Sequence, residues 1–69
     1  MNAEIINIGT ELLLGYTIDT NSAYISQRLS SIGIDIFFRT TVGDNKKRLL
    51  SALGIAGGRS DIIITNGGL

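Results

Sequence analysis

Residues 61–69 read DIIITNGGL, and the three consecutive isoleucines Ile62, Ile63 and Ile64 decide the fold. Side chains alternate between the two faces of a strand, so an unbroken apolar run is apolar on both faces. That suits a parallel strand covered on each side better than the half-wet strand of an antiparallel sheet. The glycine pair that follows, Gly67 and Gly68, then stands at the carboxyl end of the strand. A backbone without side chains can approach a ligand closely there, although the same pair also suits a flexible end.

Upstream, AEIINIG (residues 3 to 9) is short, β-branched and closed by a glycine, the marks of a first strand. The segment DTNSAYISQRLSSIG offers Asp19, Thr20 or Asn21 as N-cap, apolar residues at Ile25, Leu29 and Ile32, and Gly33 where a left-handed terminal residue belongs. It predicts a helix with both ends marked. IDIFFRTTV, from Ile34 to Val42, predicts a second strand, and after GDN an apolar stripe at Leu49, Leu50, Leu53 and Ala56 predicts a second helix. Gly54 weakens that helix by about 1 kcal/mol relative to alanine. Lys46, Lys47 and Arg48 in its first turn oppose the helix dipole, and Gly57 and Gly58 invite an early end.

The resulting order is β-α-β-α-β, an α/β arrangement whose right-handed crossovers make a parallel sheet. A strand order of 2-1-3 puts the helices on opposite faces, whereas 1-2-3 would leave one apolar face bare. The first is the expected order. It opens a crevice beside the first strand, at the carboxyl ends where open α/β sheets bind ligands.

Composition narrows the function. At 69 residues the chain holds one domain at most, and a fold of this size buries only about 60% of the surface its unfolded chain exposes. With 43% hydrophobic and 17% charged residues and no proline, it is globular rather than disordered. Six basic and six acidic residues cancel, so no broad positive field draws nucleic acid or anionic lipid. Cysteine and histidine are absent, which removes disulfides, thiolate nucleophiles, Cys/His zinc sites and the imidazole base. No stretch approaches the roughly 20 apolar residues of a membrane span, and the N-terminus has no signal-peptide pattern. A cytoplasmic protein is expected.

The three strand ends lead into GTELLLGYTIDTN, TVGDN and TNGGL, which hold most of the residues with chemical capacity. Gly9 and Gly15 bracket TELLL, yet no Walker A or G-x-G-x-x-G pattern is present. Glu11, Asp19 and Asp44 would come to one edge and could bind a divalent cation through oxygen. Each also has an ordinary use that carries more weight: Asp19 as a cap, Asp44 in a turn, Glu11 as a solvated charge. Asn21 and Asn66 could hold a ribose or pterin, or serve a helix start and a turn. Tyr24 is expected on the face packed against the sheet rather than on a base, and the Lys46–Arg48 run on a solvated surface rather than on a phosphate.

Taken together, "AEIINIGTELLLGYTIDTNSAYISQRLSSIGIDI", "TVGDN" and "DIIITNGGL" resemble the N-terminal part of the competence/damage-inducible protein CinA family. The resemblance implies a three-layer α/β/α molybdopterin-binding fold, of which residues 1–69 are the first portion. It implies a pocket lined by Thr10, Glu11 and the segment Asp19, Thr20, Asn21, with Gly67 and Gly68 against the ligand's phosphate. Gly9, Gly15, Asp44 and Asn66 belong to the same loops, Asp44 matching the family's aspartate after the second strand. It further implies Mg²⁺ or another divalent cation at Glu11 and Asp19, and a metal-bound water attacking ADP-ribose or another dinucleotide pyrophosphate. The alternatives are a molybdopterin-binding module without hydrolysis and an inactive remnant. In the family GGL continues into GPT with a pair of aspartates, so the chain is expected to stop inside its ligand-binding motif, short of any deamidase domain. A third strand with one unpaired, isoleucine-rich edge is expected to self-associate or to need a covering partner.

Overall fold

The segments Asn2–Ile8 (β1), Asp35–Val42 (β2) and Ile62–Gly67 (β3) pair in one parallel sheet ordered β2-β1-β3, in a computed structural model that describes residues 1–68. This is the 2-1-3 order expected from the apolar pattern. Three helices join the strands: Thr10–Leu13 (α1), Thr20–Ser31 (α2) and Lys46–Gly57 (α3). Among the described residues no helix is long and apolar enough to cross a membrane.

β1 is the central strand, and Ala3 to Asn7 are buried without interruption. Alternation sends Ile5 and Asn7 to one face and Glu4 and Ile6 to the other. Between Ala3 and Glu4 the pairing with β2 slips by one residue, since Ala3 meets Ile36 and Glu4 meets Phe38. Phe37 is the extra residue of this bulge and stands exposed. The isoleucines of β3 are half-buried rather than sealed, because β3 pairs with β1 along one edge only.

α2 begins where Asp19 accepts the Ser22 N–H at 3.1 Å, and α3 where Asn45 accepts the Arg48 N–H at 3.0 Å. α3 runs to Gly57, where its glycine pair was expected to end it. Three stripe assignments need correction. A period of 3.6 puts Ser22, Ile25, Ser26 and Leu29 of α2 toward the sheet, and these, with Ala23 beside them, are its buried or half-buried positions. Tyr24 lies off that line and is 62% exposed; Ile32 falls past the last helical residue and is 70% exposed. Leu50 of α3 is likewise exposed, while Leu49, Leu53 and Ala56 face inward.

The short helix α1 takes the place of part of the expected loop. Gly9 and Thr10 carbonyls accept from Leu13 and Leu14 N–H groups at 3.1 and 3.0 Å. TELL is a run of good helix formers, but one turn is too short to show a period.

Glu4, fully buried on the α3 face, anchors the chain that leaves α3. It accepts from Arg59 Nε and Nη2 at 3.0 and 2.7 Å, from Ser60 Oγ at 3.0 Å and from Thr40 Oγ1 at 3.4 Å. The Arg59 guanidinium also lies 3.5 Å over the Phe38 ring. Its hydrogen bonds hold the Glu4 carboxyl below the usual carboxylate range in spite of burial.

Candidate functional site

The carboxyl ends of β1 and β3 and the loops that follow enclose a pocket of about 440 Å³, within the range of small-molecule sites. Its polar wall is built from residues nominated by the sequence: Glu11, Asp19, Thr20, Asn21 and Asp44. Asn66, Gly67 and Gly68 form the β3 side, and Ile8, Leu12, Thr17 and Ile18 complete it. Neither lysine nor arginine lines it; Lys46, Lys47 and Arg48 stand exposed on the first turn of α3.

Three nominated residues lie behind the wall rather than on it. Gly9 donates its N–H to the Val42 carbonyl at 2.9 Å, tying the ends of β1 and β2. Thr10 binds the second loop: its hydroxyl accepts the Asp44 N–H at 3.1 Å and donates to Asp44 Oδ2 at 3.3 Å. Gly15 closes the turn after α1, its N–H reaching the Leu12 carbonyl at 3.2 Å. These residues shape the pocket by holding the loops.

Gly67 takes φ +94°, and a Cβ placed on it would collide with the Ile8 carbonyl oxygen. At Gly68 (φ +84°) a Cβ would sit 3.3 Å from Ile8 Cγ2. The backbone of β3 therefore presses on the end of β1 as only glycine allows, so that beyond Asn66 the pocket is lined by the bare main chain of Gly67 and Gly68.

Asp19 serves as the cap of α2 and also lines the pocket. Oδ1 caps α2, while Oδ2 accepts the Ser22 hydroxyl and, at 2.8 Å, the Nδ2 of Asn7. Asn7 in turn accepts at Oδ1 from Asn66 Nδ2 at 3.2 Å. Asn7 escaped the sequence reading, although a buried polar residue inside an apolar strand must find partners, and that requirement marks it. The apolar side of the pocket, Ile8, Leu12 and Ile18, was missed because nothing in the spacing separates it from core.

A divalent cation does not find a complete site in these residues. Among the described residues no three acidic side chains come together, Asp19 already accepts three hydrogen bonds, and Asp44 Oδ2 is engaged by Thr10. Glu11 and Asp44 are the exposed carboxylates of the wall. Calcium takes six or more oxygen ligands, and even magnesium, which keeps several waters, uses one or two free carboxylates.

Comparison with known proteins bears on the family and the fold. Residues 4–69 match the family described as "Probable molybdopterin binding domain". Over all 69 residues the chain is 62% identical to a competence-damage inducible protein of Caldicellulosiruptor saccharolyticus and 55% identical to one of Pediococcus pentosaceus. It spans 17% of the length of each. The crystal structure of the protein CinA, of unknown function, from Thermoplasma acidophilum superposes with a TM-score of 0.94 at 34% identity, covering 99% of this chain and 40% of that one.

Proposed function

The chain belongs to the molybdopterin-binding-domain family, and on that premise we propose that its pocket binds a small phosphate-bearing nucleotide or pterin, with ADP-ribose the nucleotide to test. The observation that carries this is the mixed lining of the pocket, which combines the side-chain-free backbone of Gly67 and Gly68 with the carboxylates of Glu11, Asp19 and Asp44. Backbone amides suit phosphate oxygens, and carboxylates suit N–H and O–H donors on a sugar or heterocycle. A ligand with a phosphate at one end and such donors at the other satisfies both.

The test is thermal or urea unfolding of the chain with ADP-ribose, AMP or a pterin phosphate, with and without Mg²⁺. A ligand that binds only the folded state stabilises it by about 2.7 kcal/mol at a concentration 100 times its Kd. A saturable rise in the midpoint with one of them is the expected result. No rise with any of the three overturns the reading.

Hydrolysis is the further step. A longer protein carrying this chain would need at least one more acidic ligand beyond Glu11 and Asp19 to hold Mg²⁺ for pyrophosphate cleavage. In such a protein Asp19→Asn should abolish Mg²⁺-dependent release of AMP from ADP-ribose, and the unfolding midpoint of the variant, measured alongside, separates loss of the carboxylate charge from loss of the cap and of the Asn7 contact. Unchanged turnover would remove Asp19 from that chemistry and leave a binding module.

A further inference from the structure

Asp19, Asn7 and Asn66 form one hydrogen-bonded chain beneath the pocket, and its direction is fixed. A carboxylate only accepts, so Asp19 faces the amide nitrogen of Asn7, at 2.8 Å. With its nitrogen at Asp19, the Asn7 amide turns its oxygen end to Asn66, and Asn66 must answer with its nitrogen, at 3.2 Å. Asp19 itself is held in place by the Ser22 N–H at 3.1 Å and by the Ser22 hydroxyl. Asn7 is 1% exposed, so neither end of its amide can trade its partner for water.

The consequence falls on Asn66. Its Oδ1 has no hydrogen bond among the described residues, and no buried side-chain nitrogen or oxygen there lacks a partner. That oxygen is therefore at accessible surface, on a residue that lines the pocket and directly precedes Gly67 and Gly68. An asparagine free to turn over could offer a ligand either its oxygen or its nitrogen. Turning this one over would set oxygen against oxygen at Asn7.

We propose that the Asp19–Asn7–Asn66 chain fixes the Asn66 side-chain oxygen as an acceptor, selecting a ligand that carries an N–H or O–H donor beside its phosphate. The donor is a sugar hydroxyl or a heterocycle N–H. This rests on the phosphate-pocket reading. Asn7 is a positioning residue, and Asn66 determines specificity.

Three probes separate the possibilities by calorimetry: inorganic pyrophosphate, which offers phosphate oxygens and no sugar or ring donor; ribose 5-phosphate, which adds hydroxyls; and 6-hydroxymethylpterin, which offers ring N–H groups without phosphate. The variants are Asn7→Leu, which keeps the volume and removes the chain, and Asn66→Leu at a half-buried position. Both are expected to weaken a donor-bearing probe about tenfold, the scale of one lost hydrogen bond with a stranded partner. Pyrophosphate should bind each variant within about twofold of the parent. Whichever donor probe suffers names the source of the donor. Should Asn7→Leu fail to fold, Asn66→Leu carries the test.

Equal losses for all three probes, or no loss for the donor-bearing ones, would overturn the inference. Losses for the donor-bearing probes in a chain that does not bind pyrophosphate would sink the phosphate reading and leave standing only the acceptor role of Asn66. Binding of none of the probes to the parent chain would overturn both.

Discussion

Replacing Gly67 by alanine measures how tightly the end of β3 is pressed on β1, and so how fixed the bare-backbone side of the pocket is. The backbone at φ +94° costs about 1–2 kcal/mol for a residue with a Cβ. The new methyl also meets the Ile8 carbonyl oxygen, which cannot retreat easily because Ile8 and Gly67 are partners in the β1–β3 ladder. Relief requires the end of β3 to lift, giving up one or two ladder hydrogen bonds at about 0.5–1.5 kcal/mol each. The sum is about 1.5–5 kcal/mol. At roughly 0.05–0.15 kcal/mol per residue a chain of this length has about 3–10 kcal/mol in total, so the loss is a large share.

Gly15→Ala is the matched control. Gly15 has φ +82°, and nothing lies within 4 Å of where an alanine methyl would stand, so it carries the conformational cost alone, about 1–2 kcal/mol. Urea unfolding of the two variants, compared at a common m value, separates collision from strain. Gly67→Ala should lie below Gly15→Ala by at least about 0.5 kcal/mol. Equal stabilities would refute the reasoning: the β3 end would then have slack, and a slack backbone is no fixed frame for a phosphate.

Acid should expose the Glu4 cluster. A carboxyl held low in the folded state contributes stability that is complete above the unfolded value of about 4.3 and is lost as pH falls through the lower folded one, at up to about 1.4 kcal/mol per pH unit. Urea midpoints from pH 7 to pH 3 should therefore drop, and Glu4→Gln should flatten that acid limb; an unchanged slope would place the acid sensitivity elsewhere. Gly54, exposed within α3 with open space where a Cβ would go, should gain about 0.5–1 kcal/mol on substitution by alanine, read by the same unfolding assay. The outer edge of β3 has no strand partner among the described residues, and neither proline nor lysine lies within Ile62–Gly67 to block pairing. Sedimentation should show concentration-dependent association of the chain; a monomer at every concentration with strongly protected Ile62–Ile64 amides would refute it.

The parts of the fold that could be read from the sequence are those set by local chemistry or by a long period. Ile62–Ile64 predicted a parallel strand, Asp19 a cap, and the need to cover two faces predicted the 2-1-3 order. Tyr24, Ile32 and Leu50 were misplaced because a stripe of apolar letters is only approximately a face, and in α2 the small polar residues Ser22 and Ser26 take sheet-side positions instead. Of the site, the loop acids and the glycine pair were legible as residue types with known uses. What could not be read was which of them line the wall and which, like Thr10, brace it from behind. That distinction depends on contacts between loops 34 residues apart, such as Thr10 with Asp44.

The two buried polar residues of β1 show why such contacts arise where they do. Glu4 and Asn7 lie on opposite faces of the central strand, and each fastens the helix-bearing segment that crosses its own face. Glu4 takes Arg59 and Ser60, just past the end of α3; Asn7 takes Asp19, the cap at the start of α2. An apolar residue at either position would pack, but packing is non-directional and would tolerate sliding of the segment over the sheet. A hydrogen-bonded polar group in a dry interior tolerates little sliding, because a displaced partner is left unsatisfied at a cost of about 1–3 kcal/mol. At Asn7 the same constraint passes on to Asn66 and the two glycines beyond it. The polar residues in the middle of an apolar strand thus set the register of the covering elements, and the one nearer the carboxyl end also sets the pocket.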